Sequence, residues 1–127
     1  MTLAEVKTIV QADVLTSHID LSQQVHAACA SDMMSDVLAF AAPATLVITG
    51  LATQQTLRTA EIADAAAIVF VRGKRPNAEV IAIADQKKIP LLATEYCMHD
   101  ACGLLYSKGL GGVTEQVRKR LIEHGRR

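Results

Sequence analysis

The segment Arg72-Gly73-Lys74-Arg75-Pro76 sets three cations around one glycine, directly before the start of a helical pattern. Positive charge, a bendable backbone and the free N–H groups of a helix start would coincide there, which is the chemistry of an anion site. The plain alternative is a solvated turn with exposed cations. Three other segments carry hydroxyls, acids or a glycine at comparable points: Ala30-Ser31-Asp32, Gly50-Leu51-Ala52-Thr53 and Thr94-Glu95-Tyr96-Cys97. The expected ligand contacts are Ser31, Asp32, Gly50, Thr53, Arg72, Gly73, Lys74 and Thr94. Cations would offset ligand charge there, and hydroxyls would add hydrogen bonds.

Two other clusters invite chemistry. Asp32 and Asp36 lie four apart on the helix that Ser31 would cap, so both carboxylates share one face, as a metal or acid/base pair or simply as a helix-dipole partner plus a surface acid. A pair without a third acid or a histidine is a poor site for a hard cation. Cys97, His99 and Cys102 suggest zinc, but on a helix the two thiols would lie about 140° apart. A closed zinc site also needs four ligands, and only Cys29 or His26 could add one from elsewhere. No metal and no cofactor are expected. The sequence has no phosphate-binding Gly-x-x-x-x-Gly-Lys-Ser/Thr loop, no Gly-x-Gly-x-x-Gly after a strand and no Gly-x-Ser-x-Gly elbow. No catalytic residues are assigned, and the chain is read as a non-enzyme.

The elements that must position these segments alternate. Leu3, Val6, Ile9 and Val10 predict a helix over Leu3–Gln11, with Thr2 and Glu5 forming a capping box. Short strands are expected at Ala12–Leu15 and Val25–Ala30. Ser31 is expected to cap the next helix, which carries Met33, Met34, Val37, Leu38 and Phe40. Thr45–Thr49 is a β-branched strand that stops at Gly50. Thr53 should cap a helix over Gln54–Asp64. A buried strand at Ala67–Val71 leads to the basic loop, with Pro76 at the start of a helix over Asn77–Lys87. Strand Pro90–Ala93, helix Met98–Ser107 and a glycine-rich turn follow. An amphipathic helix is expected over Thr114–His124, with Val117, Leu121 and Ile122 on one side. Strand–helix alternation of this kind predicts an α/β fold with a mostly parallel sheet and flanking helices. Such sheets bind ligands beyond the carboxyl ends of their strands, where the four segments above would meet.

Composition narrows the function further. At 127 residues the chain has room for one ordinary domain, and half of its residues are hydrophobic. Lysines plus arginines equal aspartates plus glutamates at 13 each, so no net field draws in a polyanion. Aromatics are limited to Phe40, Phe70, Tyr96 and Tyr106, too few for a single-strand stacking platform. Neither nucleic acid nor a membrane is expected as a partner. Three cysteines suit free thiols in a reducing compartment, and the expected location is cytoplasmic.

Several strings also carry a family resemblance. They are Ala30-Ser31-Asp32-Met33-Met34-Ser35-Asp36-Val37-Leu38-Ala39, Leu46-Val47-Ile48-Thr49-Gly50, Ala67 through Pro76, and Ala101 through Leu110. Together they resemble the small stand-alone DRTGG-domain proteins. The name-giving motif is altered: Leu51-Ala52 stands where an Asp-Arg pair would follow the strand glycine, and Val71-Arg72-Gly73 replaces Thr-Gly-Gly. The resemblance implies a fold like the N-terminal domain of HPr kinase/phosphorylase, itself similar to that of Mur ligases, without the kinase domain. It implies a DRTGG-like domain over residues 1–112, with 113–127 as a C-terminal helix of the same domain. Such modules accompany phosphotransacetylases and CBS-domain pyrophosphatases as accessory units at subunit contacts, so a homodimer is expected. The expected function is a non-catalytic regulatory or accessory module for a small anionic ligand, a nucleotide among the candidates. The alternative is a protein-interaction subunit of a metabolic system or of an iron-only hydrogenase-associated redox system.

Overall fold

Thr2 starts the first helix as its sequence demands. Its hydroxyl accepts the Glu5 N–H at 3.1 Å, and the Glu5 carboxylate accepts the Thr2 N–H at 3.1 Å. In the computed structural model, which describes residues 1–114 and Ile122, this helix is α1 (Leu3–Ile9). It ends two residues before the expected Gln11, which takes a left-handed backbone at φ 50°. The elements that follow are β1 (Asp13–Val14), β2 (Ala27–Ala30), α2 (Met34–Phe40), β3 (Thr45–Thr49), α3 (Gln54–Ile62), β4 (Ala67–Phe70), α4 (Ala78–Lys87), β5 (Leu91–Ala93) and α5 (Met98–Ser107). The expected amphipathic helix over Thr114–His124 lies almost wholly outside the described residues. Among those residues, no helix is long and apolar enough to cross a membrane.

The five strands form one sheet in the order β1-β5-β4-β3-β2. β2, β3, β4 and β5 run parallel, and β1 pairs antiparallel with β5 through Asp13↔Ala93 and Val14↔Leu92. Both faces are covered, which is why the central strands are apolar throughout rather than alternating. Leu46, Ile48, Ala67, Val69, Val71 and Leu92 point to a core shared with Leu3, Val6 and Val10 of the α1 segment and Ala101 and Leu105 of α5. The residues between them, Val47, Ile68, Phe70 and Leu91, point the other way. They pack with Met34 and Val37 of α2, Leu57 and Ala60 of α3, and Val80 and Ala84 of α4. The side-chain period of two along each strand thus feeds two helical layers.

Two expected helix starts are displaced, and a third holds its place without its side-chain bond. Ser31 does not cap α2, because its oxygen accepts the Met33 N–H at 2.9 Å and rounds a bend; the helix begins at Met34. Asp32 therefore lies outside the helix, and Asp32 and Asp36 do not form a helical pair. Thr53 holds the N-cap position of α3, but its hydroxyl makes no cap bond. Pro76 precedes the cap of α4 rather than opening the helix; Asn77 accepts the Val80 N–H at 3.0 Å instead.

Candidate functional site

Four loops leave the carboxyl ends of the parallel strands side by side. Ser31-Asp32 follows β2, Gly50 follows β3, Arg72-Gly73 comes just after β4, and Thr94 follows β5. Hydrogen bonds join them across the crest. Asp32 Oδ1 accepts the Gly50 N–H at 2.7 Å and the Thr49 hydroxyl at 3.1 Å, tying the β2 loop to the end of β3. Arg72 Nη2 lies 3.7 Å from Asp32 Oδ2, so a side chain from the β4 loop reaches over β3 to the β2 loop.

Gly50 is what lets it pass. A Cβ on this residue would fall 2.2 Å from Arg72 Nη2 and 2.8 Å from Arg72 Cζ. Arg72 itself adopts a left-handed backbone at φ 59°, followed by Gly73 at φ 68°. A non-glycine residue there costs about 1–2 kcal/mol, which points to a functional or architectural demand. Two bonds to the β5 loop hold the strained pair: Arg72 N–H to Tyr96 O at 2.8 Å and Gly73 N–H to Thr94 O at 2.9 Å. Lys74 N–H donates to Val71 O at 3.1 Å. The N–H groups of Arg72, Gly73 and Lys74 are therefore already engaged, and at these three residues the crest presents side chains instead.

The charges are also partly matched. Arg75 pairs with Asp13 of β1, and the Arg72 guanidinium faces Asp32, with each side chain of the latter pair about half exposed. Lys74 is exposed and forms no ion pair with another described residue. Glu95 brings a second carboxylate against Gly73, where a Cβ would meet Glu95 Oε2 at 2.7 Å. The Asp32 carboxyl is held below its ordinary range, first by the Gly50 N–H; burial, next in size, opposes this, and the Thr49 hydroxyl and Arg72 add to the lowering. A carboxylate so stabilised is a poor base but a good positioning group.

Of the expected contacts, Asp32, Gly50, Arg72 and Gly73 belong to this network, while Ser31 sits beside it with its hydroxyl bonded to Met33. Lys74 stands at its rim, and Thr53 lies three residues beyond Gly50. Thr94 differs: it is buried, its hydroxyl donates to Val10 O at 2.6 Å and accepts the Tyr96 N–H at 3.2 Å. It braces the crest from beneath. Sequence reading left Thr49 out of the candidate segments, and it named Glu95 within one without counting it a contact; only the phase of the strand ends would have signalled either role. Among the described residues, no three histidine, cysteine or acidic groups are gathered to hold a metal ion. Cys29 is buried, Cys102 half-buried and Cys97 exposed, all as free thiols.

The model of the DRTGG domain matches residues 5–105, which takes in most of α1 and α5 and every strand and helix between them. The chain belongs to the DRTGG-domain family. No curated protein matches this DRTGG chain in sequence. Among solved structures it is similar to the CBS and DRTGG domains of the regulatory region of Clostridium perfringens pyrophosphatase, complexed with its activator diadenosine tetraphosphate. The TM-score is 0.63 at 13% identity, over 97% of this chain and 60% of that one. The DRTGG chain thus spans about three fifths of that structure's length, and at this identity the likeness is one of fold.

Proposed function

We propose that this DRTGG domain is a non-catalytic regulatory module that binds a small anionic ligand, a nucleotide foremost, at the crest of loops, and that it works as a homodimer in the cytoplasm. The observation that carries the reading is the placement of Arg72. Its strained backbone and the missing side chain of Gly50 deliver a guanidinium to the middle of the carboxyl edge, yet its only ion-pair partner among the described residues stands at 3.7 Å. Charge-assisted bonds close to about 2.7–2.9 Å when a pair is well made. Arg72 is thus prepositioned but weakly held, and a phosphate can take it from Asp32 at small cost.

Lys74 supplies a second cation at the rim, Ser31 and Thr53 flank the approach, and Thr94 keeps the β5 loop in place. The Asp32 carboxylate, stabilised as the anion, favours holding loops together over proton transfer. The nucleotide activator of the pyrophosphatase regulatory region supports a nucleotide as first candidate. That complex belongs to a region with CBS domains as well, so the ligand is to be tested on this chain directly. Isothermal titration with ATP, AMP, diadenosine tetraphosphate and inorganic pyrophosphate is the test. Saturating binding that is lost in Arg72→Ala supports the reading, and no heat with any of the four overturns it.

A further inference from the structure

The layer formed by α1 and α5 exposes a surface that the crest does not use. His99, Gly103 and Ser107 repeat at every fourth residue of α5, all exposed, and form the outward spine of the helix. Nothing lies within 4 Å of a Cβ built on Gly103. A cavity of about 350 Å³ borders the spine on one side, lined by His99, Cys102, Gly103, Tyr106 and Ser107. On the other side a cavity of about 300 Å³ is lined by Tyr96, His99, Asp100, Gly103 and Leu104. Tyr106, 71% exposed, lines the first of them. A gap in the middle of a helix, grooves on both flanks and a projecting aromatic ring make a surface shaped for another helix.

We infer that this face receives a second copy of the chain, α5 against α5 in antiparallel, crossing at Gly103. Self-complementary charge selects this occupant. Asp100 lies in the first turn of α5 and Lys108 just past its last, and neither forms an ion pair with another described residue. An antiparallel crossing at Gly103 brings each Asp100 towards Lys108 of the second copy, so both charges are matched twice, whereas a parallel one sets like against like. The same two-fold puts Tyr106 of each copy against His99 and Cys102 of the other, filling the larger flank cavity reciprocally. That is the pattern an isologous interface requires. Lys108 also borders a third cavity of about 500 Å³ with Met1, Glu5, Thr8 and Ile9, so α1 extends the contact beyond one helix.

This inference rests on the homodimer reading and adds the face. The test is sedimentation equilibrium of the full chain at increasing concentration up to about 100 μM, where a weak dimer shows mass action. The wild-type chain is expected to dimerise and Gly103→Arg to be monomeric with unchanged helical circular dichroism. The substituted side chain starts in open space, and arginine favours a helix more than glycine does. Asp100→Lys and Lys108→Asp should each weaken dimerisation at least tenfold, and the double exchange should restore it. Ile62→Arg, on exposed α3 in the opposite layer, should leave the dimer intact. A monomeric wild-type chain would overturn both the dimer and the face. A dimer that survives Gly103→Arg, or is lost in Ile62→Arg, would overturn the face alone.

Discussion

Replacing Asp32 by asparagine should lower stability and raise anion affinity together, two signs that a purely structural role would not produce. Asparagine keeps a side-chain oxygen for the Gly50 N–H now bonded at 2.7 Å and for the Thr49 hydroxyl at 3.1 Å, but removes the charge opposite Arg72. A charged acceptor is worth about 1 kcal/mol more than a neutral one, and the half-exposed setting discounts this to roughly 0.5–1 kcal/mol. Unfolding entropy near 2.1 cal/mol/K per residue gives about 4 °C of melting temperature per kcal/mol for a chain of this length, so the expected drop is about 2–4 °C. For the ligand, the variant loses a repulsive charge several ångströms away, worth about 1 kcal/mol at a partly solvated site, or roughly fivefold tighter pyrophosphate binding. Calorimetric titration of both proteins measures the second effect and differential scanning the first. Weaker binding in Asp32→Asn, with the fold intact, would refute the view that Asp32 competes with the ligand for Arg72.

The same residue carries a pH signature. Because the folded pKa of Asp32 is depressed, its stabilisation is present above the unfolded value near ~3.9 and is lost as pH falls through the lower folded value. The gap between wild-type and Asp32→Asn melting temperatures should therefore close below about pH 4, and a gap that widens there would contradict the assignment. Thr94→Val leaves the Val10 carbonyl and the Tyr96 N–H without their buried partner, at about 2 kcal/mol, so melting should fall by roughly 8 °C. Gly50→Ala meets only the flexible end of Arg72 and should cost less than about 1 kcal/mol while displacing the guanidinium, which nuclear magnetic resonance of the Arg72 side chain would detect. Alkylation followed by mass spectrometry should modify exposed Cys97 first and Cys29 last, since burial, and secondarily the Asp36 charge, push the Cys29 thiol pKa up.

Most of the architecture was legible because the strands are buried on both faces. Thr45–Thr49 and Met98–Ser107 are found at their expected bounds, and Leu91–Ala93 and Ala67–Phe70 each lose one terminal residue. The capping box at Thr2 and Glu5 is local chemistry, complete within four residues, and sequence reading finds it whole. The loops were harder. Ser31 and Pro76 carry the right side chains for helix starts but do not open the helices, whereas Thr53 takes the N-cap position of α3 without a side-chain bond. Gly50 N–H draws Asp32 away from α2, and Asn77 outcompetes the position of Pro76 by bonding the Val80 N–H directly. The basic loop had the correct charges and the wrong donors. Nothing within Arg72-Gly73-Lys74 reveals that its N–H groups close onto Tyr96, Thr94 and Val71, because two of those acceptors belong to a loop some twenty residues away. That Thr94 turns inward follows from Val10, at the end of α1, lying beneath β5.

Titration of the full chain with diadenosine tetraphosphate and with pyrophosphate, in wild-type and Arg72→Ala forms at matched salt, bears most directly on the crest. Saturable binding by the wild-type protein that weakens at least tenfold without Arg72, while the melting temperature of the free protein moves by no more than about 4 °C, is the predicted result. Equal affinity in the two proteins would contradict it.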